Sequence, residues 1–377
     1  MINNEIFDLR HDLHKYPEVS NNEFNTAERI VNFMESLKPD ELIELGKTGK
    51  AFVFNGNQSG KTIVFRAELD ALPISENSLV EHSSINKNAA HSCGHDGHMA
   101  IIAGLAKEIV KNSHKKGKVV FLFQHAEEIE QGAKDVMESP GFKKLDPDYI
   151  FALHNIPGVE KHKIILKNGV FAAASKGMTI ELFGKTSHAA EPEKGKNPAL
   201  AVSEIINEFN ELINNITLFS DFILLTFVFI RMGEISPGTS AGNAKIGITL
   251  RAFEDEDMKL MTKKTREIID EICINEDLKY KIEYNEIFPA TVNDDICVSL
   301  IEDAAIENNL VTEYIEEPFK WSEDFAYYTE KYKTGYFGLG SGINQPALHN
   351  PEFDFPDEII ETGIKVFSSI YKQLNIN

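Results

Sequence analysis

The residues best suited to chemistry lie in one short run, His91-Ser92-Cys93-Gly94-His95-Asp96-Gly97-His98, which packs three histidines and a cysteine into eight positions. Its glycines allow a loop to turn several side chains towards one point. Imidazole and thiolate together suit zinc, nickel or another borderline divalent ion. A lone histidine on such a loop more often faces water; the cluster favours a metal. Downstream, FQHAEE places Glu127 and Glu128 side by side after an apolar run that reads as a buried strand. Side chains at the carboxyl ends of strands in an open α/β sheet face the crevice where ligands bind. One carboxylate there can bind metal while its neighbour moves a proton, although most adjacent glutamates are simply solvated. FALHN delivers His154 to the same end of another strand, and LHNP carries His349 near the C-terminus. Either alone would read as an ordinary rim or loop histidine.

These residues need elements to hold them. Ile6, Leu9 and Leu13, then Phe24, Ala27, Val31 and Met34, recur at helical spacing and predict two opening helices. AFVFNG, KTIVFRAEL, KVVFLFQ and DYIFALH read as strands, most of them apolar enough to be buried on both faces. HMAIIAGLAKEIVKN, starting inside the histidine cluster, reads as a helix. Helices alternating with such strands predict a largely parallel sheet covered on both sides. From residue 176 the order changes to β-α-β-β-α-β, the pattern of a ferredoxin-like unit, and after Pro289 the αβ character returns. The expected organisation is a discontinuous α/β domain, residues 1–175 and 286–377, interrupted by a satellite domain at 176–285.

Composition narrows the partners. The chain has 377 residues, 42% hydrophobic and 26% charged, an ordinary globular mixture. Its formal net charge of −21 repels nucleic acid and anionic membranes. The three cysteines, at 93, 273 and 297, are too few and scattered for a disulfide framework, so a reducing, cytoplasmic setting is expected. The N-terminal text has no signal-peptide character, and FILLTFVFI is too short to span a membrane.

RAELDALPI, HSCGHDGHMA, FLFQHAEE, FALHNIPG, GKTSHAAEPEKGKNP, WSEDFA and HNPEFDFPDE stand in the order and spacing of the M20 metallopeptidase family. Over essentially the whole chain the sequence resembles its amidohydrolase branch of hippurate hydrolases, auxin-conjugate hydrolases and N-acetyl-diaminopimelate deacetylases. The resemblance implies a zinc-exopeptidase-like catalytic domain holding two divalent metal ions, zinc, manganese or nickel. It implies Cys93, His95, Glu128, His154 and His349 as ligands, with Cys93 between the metals. One ion would have Cys93, His95 and His154, the other Cys93, Glu128 and His349. Glu127 becomes the base that works with a metal-activated water, and His188, from the partner subunit of a homodimer formed through the satellite domain, the oxyanion donor. Asp96 is assigned to the shell behind the ligands, His98 to a structural role, and Asp70 to a relic of an ancestral metal-site strand. The implied reaction splits an N-acyl amino acid into acyl group and amino acid.

Several positions depart from the branch's text. His125 replaces a proline, Thr186-Ser187 replace paired glycines, Glu68 stands where Asp is usual and Lys176 where an acid is common. The Ile-Pro expected after Asn243 is missing. None is an implied ligand, but those in the satellite domain bear on substrate choice. The substrate is itself an anion, so cations such as Lys176, Arg231 or Arg251 must locally reverse the field of the chain. Three other readings compete: a dipeptidase or aminoacylase using the same centre, a thiol hydrolase with Cys93 as nucleophile, and a binding protein that has lost turnover. The thiol reading leaves Glu128, His154 and His349 without work, and the retained ligand set with Glu127 argues against lost turnover.

Overall fold

The computed structural model describes residues 4–112 and 114–376. The chain divides into two compact units, the larger comprising residues up to Phe171 with Thr291–Glu317 and Glu323 onward, the smaller Ala172–Ala290 with Pro318–Ser322. The short Pro318–Ser322 segment, expected with the catalytic part, clusters with the smaller unit, where Phe319 bridges to Ala172.

The larger unit is built on a mixed, mostly parallel sheet of eight strands. Its chain begins with α1 (Asn4–Lys15), α2 (Phe24–Glu35), β1 (Glu41–Leu45), β2 (Gly49–Asn55), β3 (Gln58–Glu68), α3 (His95–Lys111), β4 (Lys116–Gln124) and β5 (Tyr149–Pro157). At the centre β3 runs parallel to both β4 and β5, and β5 runs parallel to strand Lys333–Gly342. From Thr62 to Glu68 every residue of β3 is buried, the apolar Ile63, Val64, Phe65 and Ala67 together with the charged Arg66 and Glu68. The register pairs Glu68 with Gln124, so β3 and β4 end level and deliver their following loops to one edge. β1 and β2 extend one side antiparallel, and strands Ile164–Leu166 and Thr312–Tyr314 complete the other. Both of these three-residue strands escaped the sequence reading because so short a segment shows no period.

The helices follow their stripes with two exceptions. Phe24 is exposed and Ile30 takes its place on the buried face of α2. On α1 the buried positions are Ile6, Arg10, Leu13 and His14, so two polar residues share a face that periodicity assigns to Leu9. Met99, Ile102, Leu105 and Ile109 of α3 enter the main core with Phe65, Phe121 and Phe151 of the sheet.

In the smaller unit, Ala174–Phe183, helix Ala199–Asn214, Ile223–Met232, Asn243–Ala252, helix Asp255–Asn275 and Lys279–Phe288 follow in β-α-β-β-α-β order. The sheet is antiparallel throughout, with Ala174–Phe183 and Asn243–Ala252 in the middle and Ile223–Met232 at an edge. No helix among the described residues is long and apolar enough to cross a membrane.

Candidate metal centre

The loop after β3 turns into α3 at Gly94, whose φ of +96° lies in the left-handed region. A Cβ on Gly94 would stand 2.4 Å from Asn155 Oδ1, and one on Gly97 would stand 2.3 Å from the Phe355 ring. Glycine is therefore required at both positions for the loop to close on β5 and the C-terminal segment. This closure brings His95 to the first turn of α3 with its ring fully buried. Its Nδ1 donates to the backbone carbonyl of Asp70 at 2.8 Å, which leaves Nε2 of the neutral ring as a lone-pair donor. His154, at the end of β5, donates from Nδ1 to the Asn155 carbonyl at 2.9 Å, and its Nε2 stands 3.4 Å from Cys93 Sγ. The backbone N–H of His349 donates to the Ser92 carbonyl at 2.8 Å, tying the C-terminal loop to the histidine cluster. His349 Nε2 then lies 3.7 Å from Glu128 Oε2.

His95, Glu127 and Glu128 bring donor atoms within 4.8 Å of one another, and so do two triads, Cys93–His95–His154 and Cys93–Glu128–His349. The two triads share Cys93. Separations of this size suit donors bound at about 2.0–2.3 Å to a common ion. His95 Nε2 and Glu128 Oε1 are buried with no hydrogen-bond partner among the described residues, a state that a cation would relieve. The donor set thus fits a divalent pair.

The charges fit as well. Burial, with Glu128 and Glu127 beside it, pushes the Cys93 thiol well above its usual range. Burial and the nearby carboxylates Glu323 and Glu128 likewise push Glu127 well up. Glu128 rises to about 7, burial and Asp70 outweighing the opposing pull of His95. Burial lowers His154 to about 3; in His95 the same penalty is overcome by Glu68, Glu128 and Asp70, which raise it to about 9. Burial and mutual repulsion raise the proton affinity of these acids, a cost that a divalent ion among them would offset.

The adjacent glutamates sit on an unusual turn. Ala126 has φ +50°, and its N–H donates to Glu23 Oε1 at 2.9 Å. The Glu128 N–H donates to Asp70 Oδ2 at 3.0 Å. Behind Glu127, Arg66 is fully buried and pairs with Glu68, with Glu323 at 3.0 Å and with Asp324 at 2.6 Å. Oxygens of Glu127, Glu323 and Asp324 lie within 4.8 Å of one another, but Glu323 also accepts from Tyr336 and Asp324 from Gln124 and the Ala133 N–H. A further cluster, Glu68–His95–His98, has its bonding used as well. His98 meets Glu68 and Asn155 at 2.7 Å through its two nitrogens.

Asp96 turns away from the triads. It meets Arg10 Nε and His14 Nδ1, both at 2.8 Å, and so joins α3 to α1. His125 packs into the space that a Cβ on Gly46 would fill, with Nε2 3.4 Å from Asp135. Within the smaller unit, His188 lies on the exposed two-residue strand Ser187–His188, paired with Thr239–Ser240. The Ala190 N–H donates to His188 Nδ1 at 3.0 Å, so the neutral ring carries its proton on Nε2. Lys176 is half-buried, bonded to Thr262 and above the Tyr284 ring; Arg251 holds the Lys320 carbonyl and Ser322; Arg231 lies over Phe229.

Sequence reading missed Glu23, Arg66, Glu323 and the orienting work of Asp70. Arg66 and Glu68 left one signal, charges inside a strand buried on both faces, which demands partners. Glu23 left none.

A mostly parallel α/β sheet with a thiolate, imidazole and carboxylate cluster at its strand ends defines the metal-dependent hydrolase class. Residues 64–373 match Peptidase family M20/M25/M40, and the chain belongs to that family. It is 30% identical to the hippurate hydrolase of Campylobacter jejuni over 96% of this chain and 94% of that one. It is also 30% identical to the N-acetyldiaminopimelate deacetylase of Bacillus subtilis, over 97% and 98% of the two chains. Among solved structures, a dinuclear metal-binding peptidase of the M20 family from Bacillus subtilis superposes with a TM-score of 0.83 at 26% identity, covering 97% and 96%. A protein from methicillin-resistant Staphylococcus aureus gives a TM-score of 0.87 at 24% identity, covering 98% and 96%, and shows the same fold.

Proposed function

We propose that the protein is an amidohydrolase that cleaves N-acyl amino acids at the amide bond, using two divalent ions. The observation that carries this reading is the pair of donor triads sharing Cys93 immediately beside Glu127. The hippurate hydrolase and deacetylase relatives support the substrate class.

Cys93, His95 and His154 would hold one ion, and Cys93, Glu128 and His349 the other. Bound there, the ions supply Lewis-acid polarisation of the scissile carbonyl and acidify a water. Glu127, buried and carrying no ligand duty in either triad, takes the proton from the attacking water at its carboxylate and returns it to the leaving nitrogen. His188 offers Nε2–H to the oxygen that gains charge. We assign that donor to the partner subunit of a homodimer formed through the smaller unit. Its edge strand exposes Leu224, Val228, Ile230 and Met232, a row suited to a second copy. Thiolate and imidazole donors favour zinc or nickel, with manganese admitted by the carboxylate. Three unpaired cysteines and the −21 charge support a cytoplasmic enzyme that engages neither membrane nor nucleic acid.

The test is a panel of N-acetyl, N-benzoyl and N-indolylacetyl amino acids with several dipeptides, run on protein of measured metal content. Hydrolysis of the acyl series that is lost on chelation and restored by Zn²⁺, Mn²⁺ or Ni²⁺ is expected. Activity that survives full chelation but stops with a thiol reagent would point to Cys93 as nucleophile instead.

A further inference from the structure

Glu23 is fully buried at the entrance to α2, far in sequence from any proposed ligand. Its Oε1 accepts from the Ala126 N–H at 2.9 Å and the Asn21 N–H at 2.8 Å, and its Oε2 from Thr48 Oγ1 at 2.8 Å. None of these donors is a cation. A buried carboxylate without a cation is costly, so the fold keeps it only where its acceptor oxygens are needed.

The need is visible in the turn it touches. Ala126 adopts φ +50°, a conformation that an L-residue with a Cβ disfavours. Its carbonyl accepts from the Gln131 and Gly132 N–H groups, and the Glu127 carbonyl accepts from Glu130. These bonds close the turn on itself but do not fix it to the sheet. Glu23 holds it at Ala126, and Asp70 holds it at the Glu128 N–H, so the two glutamates are clamped from both ends. Gly132 fits the same close turn, since a Cβ there would meet the His125 carbonyl oxygen at 1.6 Å.

We infer that Glu23 is a positioning residue for the reaction: by accepting the Ala126 N–H it holds the left-handed turn that aims Glu127 at the substrate and Glu128 at its metal. The inference rests on the proposed function above. Loss of the acceptor leaves a buried N–H unpaired, and the turn relaxes towards negative φ, which redirects both following side chains. The two triads respond unequally, because only one of them contains Glu128.

The experiment compares parent, Glu23→Ala, Glu23→Gln, Thr48→Val and a core control, Ile301→Val, in the full-length metal-loaded enzyme. Steady-state kinetics are combined with calorimetric titration of Zn²⁺ into chelator-stripped protein and with thermal melts. Glu23→Ala is expected to lower kcat about a hundredfold with little change in KM, since small misplacement of a catalytic group has that scale. One Zn²⁺ site should weaken about ten- to a hundredfold while the other is retained. Glu23→Gln keeps an acceptor for Ala126 and should recover most of kcat and of the weakened site. Should Glu23→Ala fail to fold, Thr48→Val, which frees only the second oxygen, should show a smaller loss in the same direction. Ile301→Val should lower the melting temperature without moving kcat. A folded Glu23→Ala enzyme with parental kcat and both Zn²⁺ affinities would overturn the positioning role, as would losses reproduced by Ile301→Val. A parent that lacks chelator-sensitive hydrolysis would instead overturn the proposed function.

Discussion

His95 donates its Nδ1 proton to the backbone carbonyl of Asp70 at 2.8 Å. A carbonyl can only accept, so the bond sets the tautomer and presents the Nε2 lone pair to the triad. The Asp70 side chain meanwhile takes the Glu128 N–H and the Ser20 hydroxyl through Oδ2. One residue thus steers a candidate ligand of each triad, one through its main chain and one through its side chain.

Removing only the side chain separates these duties. Asp70→Ala keeps the carbonyl and should leave the His95 orientation intact while releasing Glu128. The expected result is a loss of about 10–100-fold in affinity at the Glu128 site, read by competition with a chelator of known affinity. Asp70→Asn retains an acceptor oxygen and should lose less. Equal weakening of both sites in Asp70→Ala would contradict this division.

Glu127 is the proposed proton carrier and is absent from both Cys93 triads. Glu127→Gln should therefore bind two ions as the parent does, with kcat reduced about 10²–10⁴-fold. Elemental analysis and initial rates measure the two effects separately. Parental turnover in a fully loaded Glu127→Gln enzyme would remove Glu127 from the base role.

The His14–Asp96 pair makes stability depend on alkaline pH. Burial opposes the His14 charge, but Asp96 beside it and a hydrogen bond to Glu76 prevail and raise the ring to about 9. Arg10 and Asp354 also face this ring, the former lowering its proton affinity. A pKa raised on folding contributes stability that is complete below the unfolded value near 6.5 and disappears as pH climbs through about 9. Urea unfolding of chelator-free protein at pH 6 and pH 10 should show the parent losing on the order of 1–3 kcal/mol more than His14→Gln. Identical pH dependence in the two proteins would show that the pair carries no such linkage.

Sharing of the site across a dimer has its own readout. His188→Ala and Glu127→Gln subunits, each inactive alone, should regain activity when unfolded and refolded together. Random pairing leaves about a quarter of the parental sites intact. Verified mixed dimers that stay inactive would place His188 outside the neighbouring subunit's chemistry.

Much of the candidate centre is legible in the sequence. Cys93 and His95 stand in one run, Glu128 follows a buried strand, and His154 ends another. Ligand types at strand ends announce themselves locally, because burial and strand direction follow from a few neighbouring residues. The helical and strand periods were equally plain, and they failed where a polar residue took a buried position, as Arg10 and His14 did on α1. Periodicity counts apolar residues and is blind to a buried charge whose partners, Asp96, Asp354 and Asp357, lie in distant segments.

By itself, then, the sequence determined which residues have ligand chemistry, which elements carry them and that the chain is an interrupted α/β protein. Only the tertiary structure decided which nitrogen His95 and His154 turn towards the triads and which residues hold the candidate ligands in place. It also turned Asp96 towards α1 and made Asp70 a working part of the centre. The reason is physical: a tautomer or a strained turn is set by whichever acceptor arrives in space. For Ala126 that acceptor is Glu23, 103 positions earlier in the chain. No local pattern encodes such a partner.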